Sequence, residues 1–409
     1  MTDQSPINSA ADHWERVPLG GVCEIVAKQV DPKLPEFACL PHVNGENIES
    51  GTRRLHGVRT AAEDGMTSGK YLFEPGDVLY SKLRPYLRKV VLVDFRGLCS
   101  ADAYPIRANP DRLDADYLAW ALLSDGFTEY ADAESRRARM PKLNREQLFA
   151  WNIPLPPLAE QRRIAGRLRE QLAEVAKART AVQAQLAASQ ALPAAALRDV
   201  FDSDHGWESK RLGEVLSDIQ AGKCLNCVER PATASEWGVL KVSAVTWGSF
   251  RPEANKVVPP DFVVPLEYEV KPGDLLISRS NTTELVGAVV LVKSTRPKLM
   301  LSDKTLRLVP RAEIAIVEFL DFCLRSTQAR EFIEGNATGT SGSMKNITQD
   351  TIRNIPIVLP PLDEQRIVAA RLASELAEAT QLRKSLTEKL EAIDRLPAAL
   401  LAQAFQGSE

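Results

Sequence analysis

Histidine is scarce in this chain. Its 409 residues include four (His13, His42, His56 and His205), too dispersed to suggest a catalytic triad or a metal cluster. The six cysteines (Cys23, Cys39, Cys99, Cys224, Cys227 and Cys323) show no disulfide-framework spacing, which fits a reducing compartment. Cys224 and Cys227 form a CxxC, two of the four ligands a structural zinc needs, with no second pair to complete it. No apolar run is long enough to span a bilayer, and the opening MTDQSPINSAADHW lacks the basic and apolar regions of a secretory signal. These absences point to a cytoplasmic protein with no membrane partner and no metal site.

An excess of charge of one sign is also missing. The net charge is −3; residues 1–157 carry 19 Lys+Arg against 22 Asp+Glu, and residues 204–357 carry 19 against 19. Any nucleic-acid face must therefore arise from local sorting of charge. Nucleotide and catalytic motifs are lacking too. GMTSGKY (Gly65 to Tyr71) has three residues between its glycines where a P-loop has four, and no Ser or Thr follows Lys70. Pro260-Asp261 followed by Glu269-Val270-Lys271 superficially spells a nuclease-like acidic pattern, but the first half has no counterpart. No Asn-Pro-Pro-Tyr-type motif for base methylation is present. The expectation is a protein that binds and does no chemistry, with no catalytic residue.

What is present is a repeat. LPPLAEQRRIAGRL (Leu155 to Leu168) returns as LPPLDEQRIVAARL (Leu359 to Leu372), displaced by 204 positions, and LPAAAL at Leu192 returns as LPAALL at Leu396 at the same offset. A constant offset over about fifty residues is what a regular helix requires. Upstream the offset drifts. HWERVPLGGV (His13 to Val22) answers GWESKRLGEV (Gly206 to Val215) at 193, and PGDVLYSKLRP (Pro75 to Pro85) answers PGDLLISRSNT (Pro272 to Thr282) at 197. Each half therefore reads as a strand-rich globule with variable loops followed by a nearly invariant helix, the mark of internal duplication.

Pro156 and Pro157 precede the first helix, where a missing N–H is harmless, and Glu160 falls in its first turn. Apolar residues recur at heptad spacing: Leu168, Leu172, Val175, Val182 and Leu186, then Leu372, Leu376, Ala379, Leu386, Leu390 and Ile393. Pro193 and Pro397 are expected to end the two regular stretches, leaving about 50 Å of helix in each. One seam position is polar in both copies, Arg179 and Arg383; in a centred antiparallel pair Arg179 would meet Glu375 and fix the register, or snorkel out of the seam. Chain order favours antiparallel packing. The expected fold is α+β, with two mixed globules separated by two long antiparallel helices in a pseudo-twofold repeat. Its parts are 1–155 and 204–358 for the globules, 156–203 and 359–409 for the helical regions.

Two matched places in the globules carry groups suited to phosphate and base edges. After each Pro-Gly-Asp turn and short apolar strand come Ser81, Lys82, Arg84 and Arg88 in one half, and Ser278, Arg279, Ser280 and Asn281 in the other. Before each long helix come ESRRARMPKLN, with Arg136, Arg137, Arg139, Lys142 and Asn144, and NATGTSGSMKNIT, with Thr340, Ser341, Ser343, Lys345 and Asn346. These are the candidate DNA-binding residues; read alone, each cluster is equally an ordinary solvated loop or connector.

IPLPPLAEQRRI (Ile153 to Ile164), its second copy IPIVLPPLDEQRIV (Ile355 to Val368), KNITQDTIRNIPI and the paired PGDxL turns resemble the specificity subunits of Type I restriction–modification enzymes. The resemblance runs over essentially the whole chain, although the first half has PKLNREQL (Pro141 to Leu148) where the second has KNIT. It implies a non-catalytic subunit of the nucleoid that reads a split target in double-stranded DNA, one half-site per globule, with the helices setting the spacer. Two modification subunits would dock on it and bring S-adenosylmethionine and the methyltransferase site. Restriction subunits would add translocation and cleavage driven by ATP and magnesium, so this chain would hold no cofactor itself. The alternatives are a helical scaffold that binds proteins and no DNA, and an enzyme with a nuclease site in the second half.

Overall fold

The computed structural model describes residues 14–135, 141–246, 248–339 and 344–405. They form two compact units, residues 1–183 with 388–409, and residues 184–387. Each unit thus includes a globule, the start of the long helix that follows it, and a helical segment from elsewhere in the chain.

In the first unit Arg16–Pro18 pairs with Asn152–Pro154, tying the start of the globule to the strand before the long helix. A four-stranded antiparallel sheet runs in the order Cys23–Ile25, Ala103–Ala108, Val78–Ser81, Val90–Leu92. A five-stranded sheet contains one parallel pairing, Pro41–Val43 with Gly97–Cys99. The second unit repeats the plan. Glu208–Arg211 pairs with Pro356–Leu359, and the four-stranded sheet runs Leu216–Ala221, Thr305–Pro310, Leu275–Ser278, Val289–Leu291. Its other main sheet has three strands, again with one parallel pairing, Gly238–Leu240 with Leu299–Met300. The α+β class and the internal repeat expected from the sequence are therefore present.

The Pro-Gly-Asp turns behave alike in both units. Gly76 and Gly273 take φ values of 91° and 94°, which a side chain would oppose. Asp77 accepts the Glu74 N–H at 2.9 Å and Asp274 that of Lys271 at 2.8 Å. Arg107 then grips Asp77 with two bonds, at 2.8 and 2.9 Å, and Arg307 meets Asp274 at 2.7 Å.

The repeated LPPLxEQ stretch is explained by its glutamines, which are fully buried. Gln161 accepts the Asp114 N–H at 2.8 Å and donates to the carbonyls of Arg112 and Pro156. Gln365 accepts the Ile316 N–H at 3.0 Å and donates to those of Ile314 and Pro360. Each glutamine therefore rivets the first turn of a long helix to the start of a helix of the globule, Ala115–Ala121 or Val317–Cys323. Three bonds from one buried amide leave no polar group of that junction unpaired.

The long helices span Leu158–Ser189 and Leu362–Phe405. In the first unit Ile164, Ala165 and Leu168 share a core with Tyr80, Tyr117 and Phe127, and with Leu401 and Phe405 from the end of the second long helix. Arg179 pairs with Asp394 at 2.7 Å, so this end runs antiparallel to the first helix. In the second unit Leu372 packs with Val200 and Phe201 of the helix Leu192–Phe201. There Arg371 reaches Asp199 at 3.0 Å and the Trp207 indole donates to Glu364 at 3.0 Å, again antiparallel.

Of the seam, Leu168, Val182, Leu372, Ala379, Leu386 and Ile393 are buried, and Leu172, Val175, Leu186, Leu376 and Leu390 are partly so. Of the two readings open for the polar seam positions, the snorkelling one holds: Arg179 and Arg383 are exposed, their long stems carrying the charge out to water. Three other expectations fail here. Arg179 binds Asp394 instead of Glu375, which Arg371 holds at 2.7 Å. The expected register assumed that the second helix stops at Pro397, but it runs through that proline to Phe405. Nor does Pro193 end helix: the chain breaks after Ser189 and restarts at Leu192 with Pro193 in the first turn, where no N–H is needed.

Candidate nucleic-acid interface

The two matched places of the sequence come together in each globule. In the first, the chain leaving Val78–Ser81 runs beside the segment before the long helix. The Leu143 N–H donates to the Lys82 carbonyl at 3.0 Å and the Arg84 N–H to that of Pro141 at 2.9 Å, with Leu83 bridged to Lys142. In the second, Ser280–Asn281 pairs with Lys345–Asn346, and the Ile347 N–H donates to the Arg279 carbonyl at 3.0 Å.

The side chains divide into those turned inward and those presented to solvent. Ser81 and Lys82 are buried. The Lys82 ammonium donates to the Ala101 carbonyl and lies 5.0 Å over the Tyr104 ring. Burial first, and the nearby Lys142 charge second, hold its pKa below the usual lysine range. Ser278 is also buried, donating to the Leu285 carbonyl at 2.6 Å, and Ser280 donates to the Asn346 side chain. Asn144 caps the helix Arg145–Ala150 in a capping box with Gln147. Arg88 is held at 2.5 Å by Asp125, and Lys345 donates to the Gly339 carbonyl at 2.9 Å.

Arg84, Lys142 and Arg279 are exposed, and Asn281 is half-buried. Arg84 and Arg88 take left-handed backbones, φ 50° and 48°, around Pro85–Leu87. A non-glycine residue there is strained, and such strain concentrates where a loop is shaped for a purpose. Arg136, Arg137, Arg139, Thr340, Ser341 and Ser343 lie outside the described residues.

Sequence reasoning missed two exposed neighbours, Tyr86 and Arg145, whose only signal is adjacency to the clusters. It also gave no role to Gln161 and Gln365, although their strict recurrence was the available sign. Of the nuclease-like pattern, Asp261 is exposed and Glu269 accepts the Lys298 N–H at 2.9 Å. Among the described residues, no group of three or more His, Cys, Asp or Glu is placed to hold a metal. All six cysteines are free.

The family model for the Type I restriction modification DNA specificity domain matches twice, over residues 11–182 and 205–392. The specificity subunit of the Type I restriction enzyme EcoDI from Escherichia coli is 36% identical over 162 residues, 40% of this chain and 35% of the relative. That of EcoEI, also from Escherichia coli, is 33% identical over 46% of this chain and 32% of its own length. The chain thus matches about a third of each of these relatives. The StySPI specificity subunit of Salmonella potsdam is 26% identical over 76% of this chain and 69% of its own length. In fold, the chain is similar along its full length to the HsdS subunit from Thermoanaerobacter tengcongensis, with a TM-score of 0.70 at 24% identity and 100% coverage of both. Two domain matches that together take in both globules and most of both long helices make this chain a member of the Type I restriction–modification specificity-subunit family.

Proposed function

We propose that this chain recognises a bipartite target in double-stranded DNA, each globule reading one half-site, and that it is not itself an enzyme. The observation that carries this reading is the pairing of the two matched places. In both globules the same backbone ladder is kept while the groups left at least partly open to solvent differ: Arg84 and Lys142 in one, Arg279 and the half-buried Asn281 in the other. A shared scaffold with unlike cationic and amide groups suits two different half-sites. The recognition domains are residues 1–155 and 204–358, and the helical regions are 156–203 and 359–409.

Two modification subunits dock on the helices and the flanks of the globules and supply S-adenosylmethionine and base flipping. Restriction subunits add ATP- and magnesium-dependent translocation and cleavage. The working place is the cytoplasm, at the nucleoid. Among the described residues no helix is long and apolar enough to cross a membrane.

The test is DNA binding, with and without the modification subunits, against the motif obtained by mapping methylated adenines in the host genome. The expected result is a split motif and sequence-specific binding. Its salt slope should fall by about 0.9 for each phosphate left unneutralised in Arg84→Ala or Arg279→Ala. Binding without sequence preference in either state favours a protein scaffold, and metal-dependent cutting by the chain alone favours an enzyme.

A further inference from the structure

In each unit the helix that follows the riveted one holds both sides of the backbone ladder. These helices, Asp125–Ser135 and Thr327–Asn336, start 202 positions apart. Their starts are capped alike: the Phe127 and Ala329 N–H groups donate to the Ser124 and Ser326 hydroxyls, each at 3.3 Å. They are one element built twice.

In the first unit the helix grips the turn after Val78–Ser81 through Asp125, which accepts from Arg88 at 2.5 Å. It grips the segment before the long helix at Gln147. The Tyr130 hydroxyl donates to the Gln147 carbonyl at 2.7 Å, and the Gln147 amide donates to the Glu134 carbonyl at 3.0 Å. Gln147 in turn closes the capping box of Asn144.

The second unit does the same with different chemistry. Thr327 stands where Asp125 would be, and the grip on the turn passes to Arg330. Its guanidinium donates to the Val286 carbonyl at 2.5 Å, to the Thr283 carbonyl at 2.6 Å and to Glu334 at 2.7 Å. Guanidinium donors lie in one rigid plane, so two carbonyls held by one arginine are fixed relative to each other. Gly287, φ 73°, lets the turn lie against this helix, since a Cβ there would come within 2.6 Å of Ile333. Beyond its far end, Thr338 exchanges two backbone bonds with Asn346, at 2.9 and 2.8 Å, beside the Ser280–Asn281 pairing. With 17% of its side chain exposed, Arg330 is turned to the protein and not to solvent.

We propose that Asp125 and Arg330 are positioning residues for base reading, each fixing the ladder of its own globule before DNA arrives. The groups so placed are Arg84 and Lys142 in the first, Arg279 and Asn281 in the second. Such groups must be held to within about 0.5 Å by neighbours that do not themselves touch the ligand. The role rests on the DNA-reading proposal and adds that each half-site has a separate clamp. Loosening one clamp blurs one half of the target and spares the other.

The test measures binding of the full chain, with its modification subunits, to duplexes carrying the mapped target or one base change in either half. Arg330→Ala should cut discrimination at one half-site about tenfold, close to the cost of one lost base contact, and leave the other half unchanged. Asp125→Asn should do the reverse; as a change in a partly exposed ion pair, it also keeps the test open if Arg330→Ala does not fold. The salt slope of Arg330→Ala should equal that of the parent. A slope smaller by about 0.9 makes Arg330 a phosphate contact and overturns the positioning role. So does discrimination retained in both variants, lost equally at both halves, or lost only in step with non-specific affinity. In those cases a parent that reads the split target leaves the DNA-reading proposal standing; a parent without sequence preference overturns both.

Discussion

Lys82 and Arg279 occupy corresponding places in the two globules. The Lys82 N–H donates to the Asp102 carbonyl and its own carbonyl accepts from Leu143; the Arg279 N–H donates to the Lys304 carbonyl and its carbonyl accepts from Ile347. Yet the Lys82 ammonium is tucked against Ala101 and Tyr104, whereas Arg279 is exposed. The glutamine rivets behave in the opposite way: Gln161 and Gln365 make the same three bonds, side chain included. Duplication has therefore kept side chains where a globule joins its helix, and only backbone where the loops meet solvent. The proposed function, two unlike readers on one frame, calls for that division.

The largest expected effect tests the rivets. Gln161→Leu and Gln365→Leu each strand a buried N–H and two carbonyls, and each should lower stability by about 3 kcal/mol in urea denaturation. Losses that differ greatly between the two would break their equivalence. The prolines come next. Pro397→Ala should raise stability by ~1–3 kcal/mol, because proline inside a helix removes a hydrogen bond to the carbonyl four residues back, whereas Pro193→Ala at a helix start should change it by less than ~0.5 kcal/mol. Thermal unfolding of the two variants compares them directly. Arg179→Ala should cost less than ~1 kcal/mol, since its bond to Asp394 joins two half-exposed side chains, and an effect of several kcal/mol would restore the buried-arginine reading of the seam.

The smallest effect is confined to the second unit. Glu236 is gripped by Arg230 and then by Thr233, which lower its carboxyl pKa to about 2. A folded pKa depressed in this way adds stability that is present above the ordinary value of 4.5 and lost as pH falls toward 2. Glu236→Gln should flatten that acid limb in unfolding measured from pH 7 to 2: the variant is slightly the less stable at pH 5 to 7 and the two proteins converge as the pH falls toward 2.

Much of this was legible in the sequence because the signals are local. A Pro-Gly-Asp triplet specifies its own turn, and Gly76 and Gly273 adopt it. A heptad pattern names its buried face, and Leu168 and Leu372 are on it. The register of the helices was not legible, because it depends on where Leu401 and Phe405 find a core formed by residues far away in the chain. Whether a proline stops a helix is decided the same way: Pro397 is carried through by the packing on both sides of it, and Pro193 lies in the first turn of a new helix. Which cations of a loop remain free was equally hidden. Lys82 is taken by a carbonyl on another strand connection and Arg88 by Asp125 on a helix, partners that no spacing in their own segment announces.

The most direct measurement exchanges residues 1–150 for the matching domain of a relative with a different target, and maps methylated bases in cells making the hybrid with its modification subunits. One half of the split motif should change to that of the donor, with the other half and the spacer length retained. If both halves change together, or neither does, the two globules do not read independently and the account is wrong.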